Sequence, residues 1–177
     1  MSIGGFRAAA PSVFETDIDP VTVDRAQIDS LIAAARNTDT GRARLLLHMD
    51  RDDSLHEMII ALPEASCDHP HINYKSGKSF IALSGQFAVV CFSDDGRGVT
   101  PIILSAGEFP GAQLTRLRKP VWHTIIPLLG DTVFVETIIG PFTGNRFAGW
   151  FPTSFGENRE QAEERLRRIA RVAADSL

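Results

Sequence analysis

The residues of this chain best suited to chemistry by type and spacing are two histidines in the segment Cys67-Asp68-His69-Pro70-His71. In extended chain, positions i and i+2 point to one face, so two ring nitrogens can address a single cation. A third histidine, His123, opens an apolar run about fifty residues further on. Three imidazoles with open coordination positions suit Zn, Fe, Mn, Ni or Cu. An HxH pair also occurs at ordinary surfaces and caps, so the metal reading draws on the surrounding sequence.

Elements must exist that bring those rings together. Short apolar, β-rich runs separated by turn residues occupy 43–48, 57–62, 79–83, 86–92, 99–104, 113–117, 122–128 and 132–139, which predicts strands. Ser84-Gly85, Asp94-Asp95-Gly96 and Gly130-Asp131 lie between runs able to pair as antiparallel neighbours. Before them, Val23, Ile28, Leu31, Ile32 and Ala35 keep a helical spacing that stops at Asn37. After them, residues 157–174 carry Ala162, Leu166, Ile169, Ala170 and Val172 as a partial apolar stripe and predict a terminal helix, capped by Asn158 or its predecessor. Helix, eight strands, helix argues against a parallel α/β sheet and for a mainly β barrel or sandwich. Residues 1–20 show no sustained apolar period and read as an extension that wraps the surface or stays mobile. The division is thus 1–20, a barrel domain over 21–155, and a helix over 156–177.

The totals exclude several classes. With 177 residues and 44% hydrophobic content, one core is expected. Eighteen Lys and Arg against 22 Asp and Glu leave a formal charge of -4, which offers no general attraction to nucleic acid or anionic lipid. The apolar runs are shorter than a membrane span and the N-terminus lacks a basic-then-apolar leader, so a cytoplasmic location is expected. Two cysteines, one of them in the run Phe87 to Phe92, imply no disulfide framework.

The stretch from His69 to Gly85, followed by the distant Trp122-His123, resembles the two motifs of the cupin superfamily. More narrowly the chain looks like WbuC-type cupin-fold metalloproteins. That likeness rests on Leu47-His48 and Asp53, His69-Pro70-His71, Ser79-Phe80, Gly85, Asp94-Asp95-Gly96, Trp122-His123-Thr124, Glu136, Gly140-Pro141-Phe142, Phe147-Ala148, Trp150 and Pro152. The resemblance implies a double-stranded β-helix, or jelly-roll barrel, flanked here by an N-terminal and a C-terminal helix. It implies a divalent metal at His69, His71 and His123, a homodimer, and a small-molecule ligand of the kind met in polysaccharide biosynthesis. The chain departs from the pattern at the fourth ligand, since seven residues before Gly85, where the family has glutamate, stands Lys78. Arg118, Pro120 and Pro127 are further departures around His123.

A protonated lysine has no lone pair to donate and repels a cation, and three readings of Lys78 stay open. It points outward and three imidazoles hold a divalent ion alone; it occupies the metal's place, paired with a buried acid such as Glu136; or it is a base or Schiff-base nucleophile. The first leads to a metal-dependent isomerase or epimerase acting on a sugar-related molecule. The second leads to a metal-free module that binds or senses an anionic or hydroxylated small molecule. Iron-dependent oxygenation is disfavoured by the missing glutamate. Lys78, Glu136, His48 and Tyr74 are the candidate ligand-binding residues, with Arg116 and Arg118 as helpers at the barrel mouth. His56 reads as a hydrogen-bonding strand residue, and Cys67 as a buried thiol that would share the face of His69 and His71.

Overall fold

Alternation along the strands decides which side chains enter the barrel. The structure, a computed structural model, describes residues 2–177. Its strands are β1 (Ser2–Ile3), β2 (Phe6–Ala10), β3 (Val13–Glu15), β4 (Ala43–Leu46), β5 (Leu55–Leu62), β6 (His71–Ile72), β7 (Lys78–Phe92), β8 (Val99–Ser105), β9 (Leu114–Leu117), β10 (Trp122–Ile139) and β11 (Arg146–Phe147). Helices α1 (Arg25–Arg36) and α2 (Arg159–Ala174) flank them. The fold is mainly β with two helices, as the sequence predicts.

The two long strands organise the sheet. The second half of β10 pairs with β5 on one side and with the start of β7 on the other, while its first half pairs with β6 and the end of β7. The runs expected as four strands are therefore two, each bent where the β7–β10 register shifts between Pro127 and Phe134. Gly85 makes the bend in β7: its φ is +74°, and a Cβ there would sit 2.7 Å from the Asp131 carbonyl oxygen. β8 and β9 complete the wall by pairing with β7.

Three packed layers result. Inside the barrel lie Met58, Ile60, Leu62, Phe80, Phe87, Val89, Ile125 and Phe134. The alternate residues of β5, Ile59 and Ala61, face outward under α1, whose Leu31, Ala34 and Ala35 cover them. On the other side α2 sets Ala162, Leu166 and Ala170 against Val90, Phe92, Trp122 and Ile126. Burying a leucine such as Leu166 is worth about 2 kcal/mol. Both helices start in a capping box, Asp24 with Gln27 and Asn158 with Gln161. Arg167 pins α2 by donating to the carbonyl oxygens of Glu64, Ala65 and Ser66 at 3.1, 2.6 and 2.8 Å.

Residues 2–20 differ from the expectation of an extension that wraps the surface or stays mobile. β1, β2 and β3 form a hairpin series that joins the sheet through a parallel β3–β4 pairing, and Ile3, Phe6 and Phe14 are buried against α1. Three widely spaced apolar anchors suffice there, because the backbone of Arg44 already offers Ser12 a partner at 2.9 Å. Among the described residues no helix is long and apolar enough to cross a membrane.

Candidate functional site

The inward positions of β4, β5, β7 and β10 bring polar groups into an otherwise apolar barrel. Arg44, Leu46 and His48 follow one another at i+2, as do His56, Met58 and Ile60, and Phe134, Glu136 and Ile138; all line one cavity of about 320 Å³. Lys78 at the start of β7, His71 on β6 and His123 on β10 close its polar end.

His71 and His123 are direct partners across the β6–β10 ladder, with ring centroids 4.6 Å apart. Each ring is oriented by its own backbone: His71 Nδ1 donates to the His69 carbonyl at 3.1 Å and His123 Nδ1 to the Val121 carbonyl at 2.9 Å. That fixes the tautomer and leaves both Nε2 atoms as acceptors. His71 Nε2 lies 3.4 Å from Lys78 Nζ, whereas His123 Nε2 is buried without a partner. Burial first, and then the Lys78 charge, pushes both imidazoles below their ordinary value, His123 well below it.

Lys78 is 3% exposed and its ammonium also donates to Glu136 Oε2 at 3.2 Å. Glu136 reaches that position because it stands two residues from Ile138, the register partner of Lys78, on an inward-facing row. The charged head thus sits between one imidazole and one carboxylate. The geometry joins four of the residues singled out in the sequence: His71, His123, Lys78 and Glu136.

His69 is not with them. Its Nε2 bonds the Ala148 carbonyl at 2.9 Å, and its ring packs edge-on against Phe147 and Phe151. The i, i+2 argument fails because only His71 and Ile72 belong to a ladder; His69 precedes it, beyond Pro70. The expected convergence of three imidazoles is corrected to two. Tyr74 is also elsewhere: it is 58% exposed and meets Trp122 edge-on, on the outside of the barrel. Arg116 and Arg118 are exposed, with Arg116 on Ser79, and neither lines the cavity.

His48 does line it, donating through Nδ1 to the Glu57 carbonyl, 3.0 Å away, and stacking on His56 with centroids 4.0 Å apart. His56 is buried, and Gly140 allows the approach: a Cβ there would lie 2.6 Å from its ring and 2.0 Å from the Asp53 carbonyl oxygen. Cys67 packs beside α2, where burial pushes its thiol up to about 12. Sequence reasoning missed Arg44 and Arg42. The signal was present in the inward row Arg44-Leu46-His48, which puts a cation on the same face as a candidate histidine.

The donor set fits a cation poorly. Among the described residues no group of three His, Cys, Asp or Glu is placed to hold a metal ion. At the polar end His71 and Glu136 are both within hydrogen-bonding reach of an ammonium, and the Lys78 charge also acts on His123.

Comparisons with known proteins agree on the fold. A family described as a domain of unknown function, DUF6016, matches residues 23–104, under half of the chain. No curated protein matches in sequence. Among solved structures, an oxalate oxidase in complex with the substrate analogue glycolate superposes with a TM-score of 0.52 at 12% identity, covering 76% of this chain and 74% of that one. CapF with the inhibitor 3-isopropenyl-tropolone gives 0.53 at 13% identity, over 63% of this chain and 32% of that one. Protein SO0799 from Shewanella oneidensis gives 0.50 at 10% identity, over 67% and 76%. At such identities the likeness speaks for the fold alone. The protein has a cupin-like fold, mainly β with two helices, as expected, with α1 falling after three strands instead of preceding them all.

Proposed function

We propose that this chain is a cupin-fold protein that binds a small molecule without a metal ion, Lys78 having taken the place of the cation. The observation that carries this reading is the Lys78 ammonium, 3.4 Å from His71 Nε2 and 3.2 Å from Glu136 Oε2. The two imidazole lone pairs and the carboxylate that would ligate a divalent ion face a fixed positive charge instead. A second cation in that space would meet direct repulsion. The cavity, about 320 Å³, is at the small end of ligand pockets and mixes an apolar wall with a few polar groups, as such sites do.

The rival reading, a metal-dependent isomerase or epimerase of the WbuC type acting on a sugar-related substrate, draws on the motif resemblance and on the partnerless His123 Nε2. It requires Lys78 to leave a buried ion pair, and His69 supplies no third imidazole. Titration of the purified protein with Mn(II) and with Zn(II), followed by calorimetry, separates the two. No saturable heat is expected. Stoichiometric binding abolished by His71→Ala would return the metal reading.

A further inference from the structure

A further cation, Arg44, stands in the cavity wall. Arg44 stands on the inward row of β4, lining both the inner cavity and a wider vestibule of about 700 Å³ that shares Arg42, Asp68, His71 and Asn145 with it. Arg42 is matched by Asp68 at 3.0 Å and Lys78 by Glu136 at 3.2 Å. Among the described residues the Arg44 guanidinium has neither an ion pair nor a hydrogen bond, although it is half-buried. Burial, and then the Arg42 charge, lowers its pKa. A guanidinium presents five donors in a rigid planar fork, and withdrawing it from water without an acceptor is costly. Close by, the buried Asn145 Oδ1 also lacks a partner.

We propose that the ligand is a small carboxylic acid with an apolar body, its carboxylate held in bidentate fashion by Arg44 and its body lying against Met58, Ile60, Ile125 and Phe134. The inference rests on the metal-free reading of the pocket and names its ligand class. A carboxylate matches the fork in shape and supplies negative charge to a cavity whose lining sets Arg42, Arg44, Arg51 and Lys78 against Asp68 and Glu136. The apolar inward residues of β5 and β10 give the remainder of the ligand a surface that sugars would leave dehydrated and unsatisfied.

Calorimetric titration with hexanoate and benzoate, set against 1-hexanol and benzyl alcohol, tests this on wild type, Arg44→Gln and Arg44→Lys, with and without Mn(II). The acids are expected to bind wild type without metal, at least about tenfold more tightly than the alcohols. Arg44→Gln should lose about tenfold or more, and Arg44→Lys should fall between, because it keeps the charge and loses the fork. Alcohols binding as well as acids, no binding of the acids, or an unchanged Arg44→Gln would overturn the proposal. Acid binding that requires Mn(II) yet is lost in Arg44→Gln would leave the Arg44 clamp standing and remove the metal-free reading beneath it.

Discussion

Lys78 and Glu136 reach each other from neighbouring strands of the barrel, Nζ to Oε2 at 3.2 Å, with side chains 4% and 12% exposed. A buried pair of this kind is stabilising mainly in the sense that removing one partner strands the other. Lys78→Met should therefore cost about 3–5 kcal/mol in urea unfolding. Adding Glu136→Leu should recover most of that loss, since the uncompensated charge is gone. A single mutant as stable as wild type would show that water already screens the pair.

The imidazoles of His71 and His123 make stability depend on pH. Both pKa values are lowered in the folded protein, by burial first and Lys78 second, so the unfolded chain binds more protons as the pH falls through about 6.5. The stability they contribute is fully present above that value and declines below it, by about 1.4 kcal/mol per pH unit for each imidazole, until the folded-state value is reached. Melting temperatures between pH 7.5 and 5.5 should fall accordingly. His123→Gln should flatten that slope relative to wild type, and an unchanged slope would count against the assignment.

His69 separates a structural from a ligand-facing role. Losing its bond to the Ala148 carbonyl through His69→Ala should destabilise the fold by about 1 kcal/mol and leave ligand affinity in the barrel unchanged. A tenfold loss of affinity at constant stability would place His69 in the pocket after all.

Neither cysteine is poised to react. Burial pushes Cys91 up to about 11 and Cys67 up to about 12, so at pH 8 each is thiolate in about one molecule per thousand or fewer. A chromogenic disulfide reagent should modify both within seconds in urea and neither on that timescale in the native protein. Rapid native modification of Cys67 would contradict the packing described beside α2.

Much of this was legible in the sequence because period-2 alternation shows directly which side chains enter a barrel. Phe134, Glu136 and Ile138 share a face on alternation alone, and a lone acid on such a face asks for a buried cation, which Lys78 supplies. What escaped lay outside regular elements or depended on distant partners. His69 sits two residues before the ladder that holds His71, so spacing misplaced it. The strands among residues 2–15 include the weak β-formers Ala8, Ala9 and Ala10 and hold through pairing to β4 and burial under α1. Arg44 was not singled out, because only the closed barrel shows that the alternate residues Ala43 and Leu45 are claimed by the helix layer.

Metal content bears most directly on the claim that an ammonium replaces the cation. Wild type and Lys78→Glu, both dialysed against Mn(II) and Zn(II) and then desalted, are compared by elemental analysis. Wild type should retain far less than one ion per chain, and Lys78→Glu, which joins a second carboxylate to Glu136, His71 and His123, should retain about one. A wild-type protein that holds about one ion per chain, and loses it in His71→Ala or His123→Ala, would contradict the account.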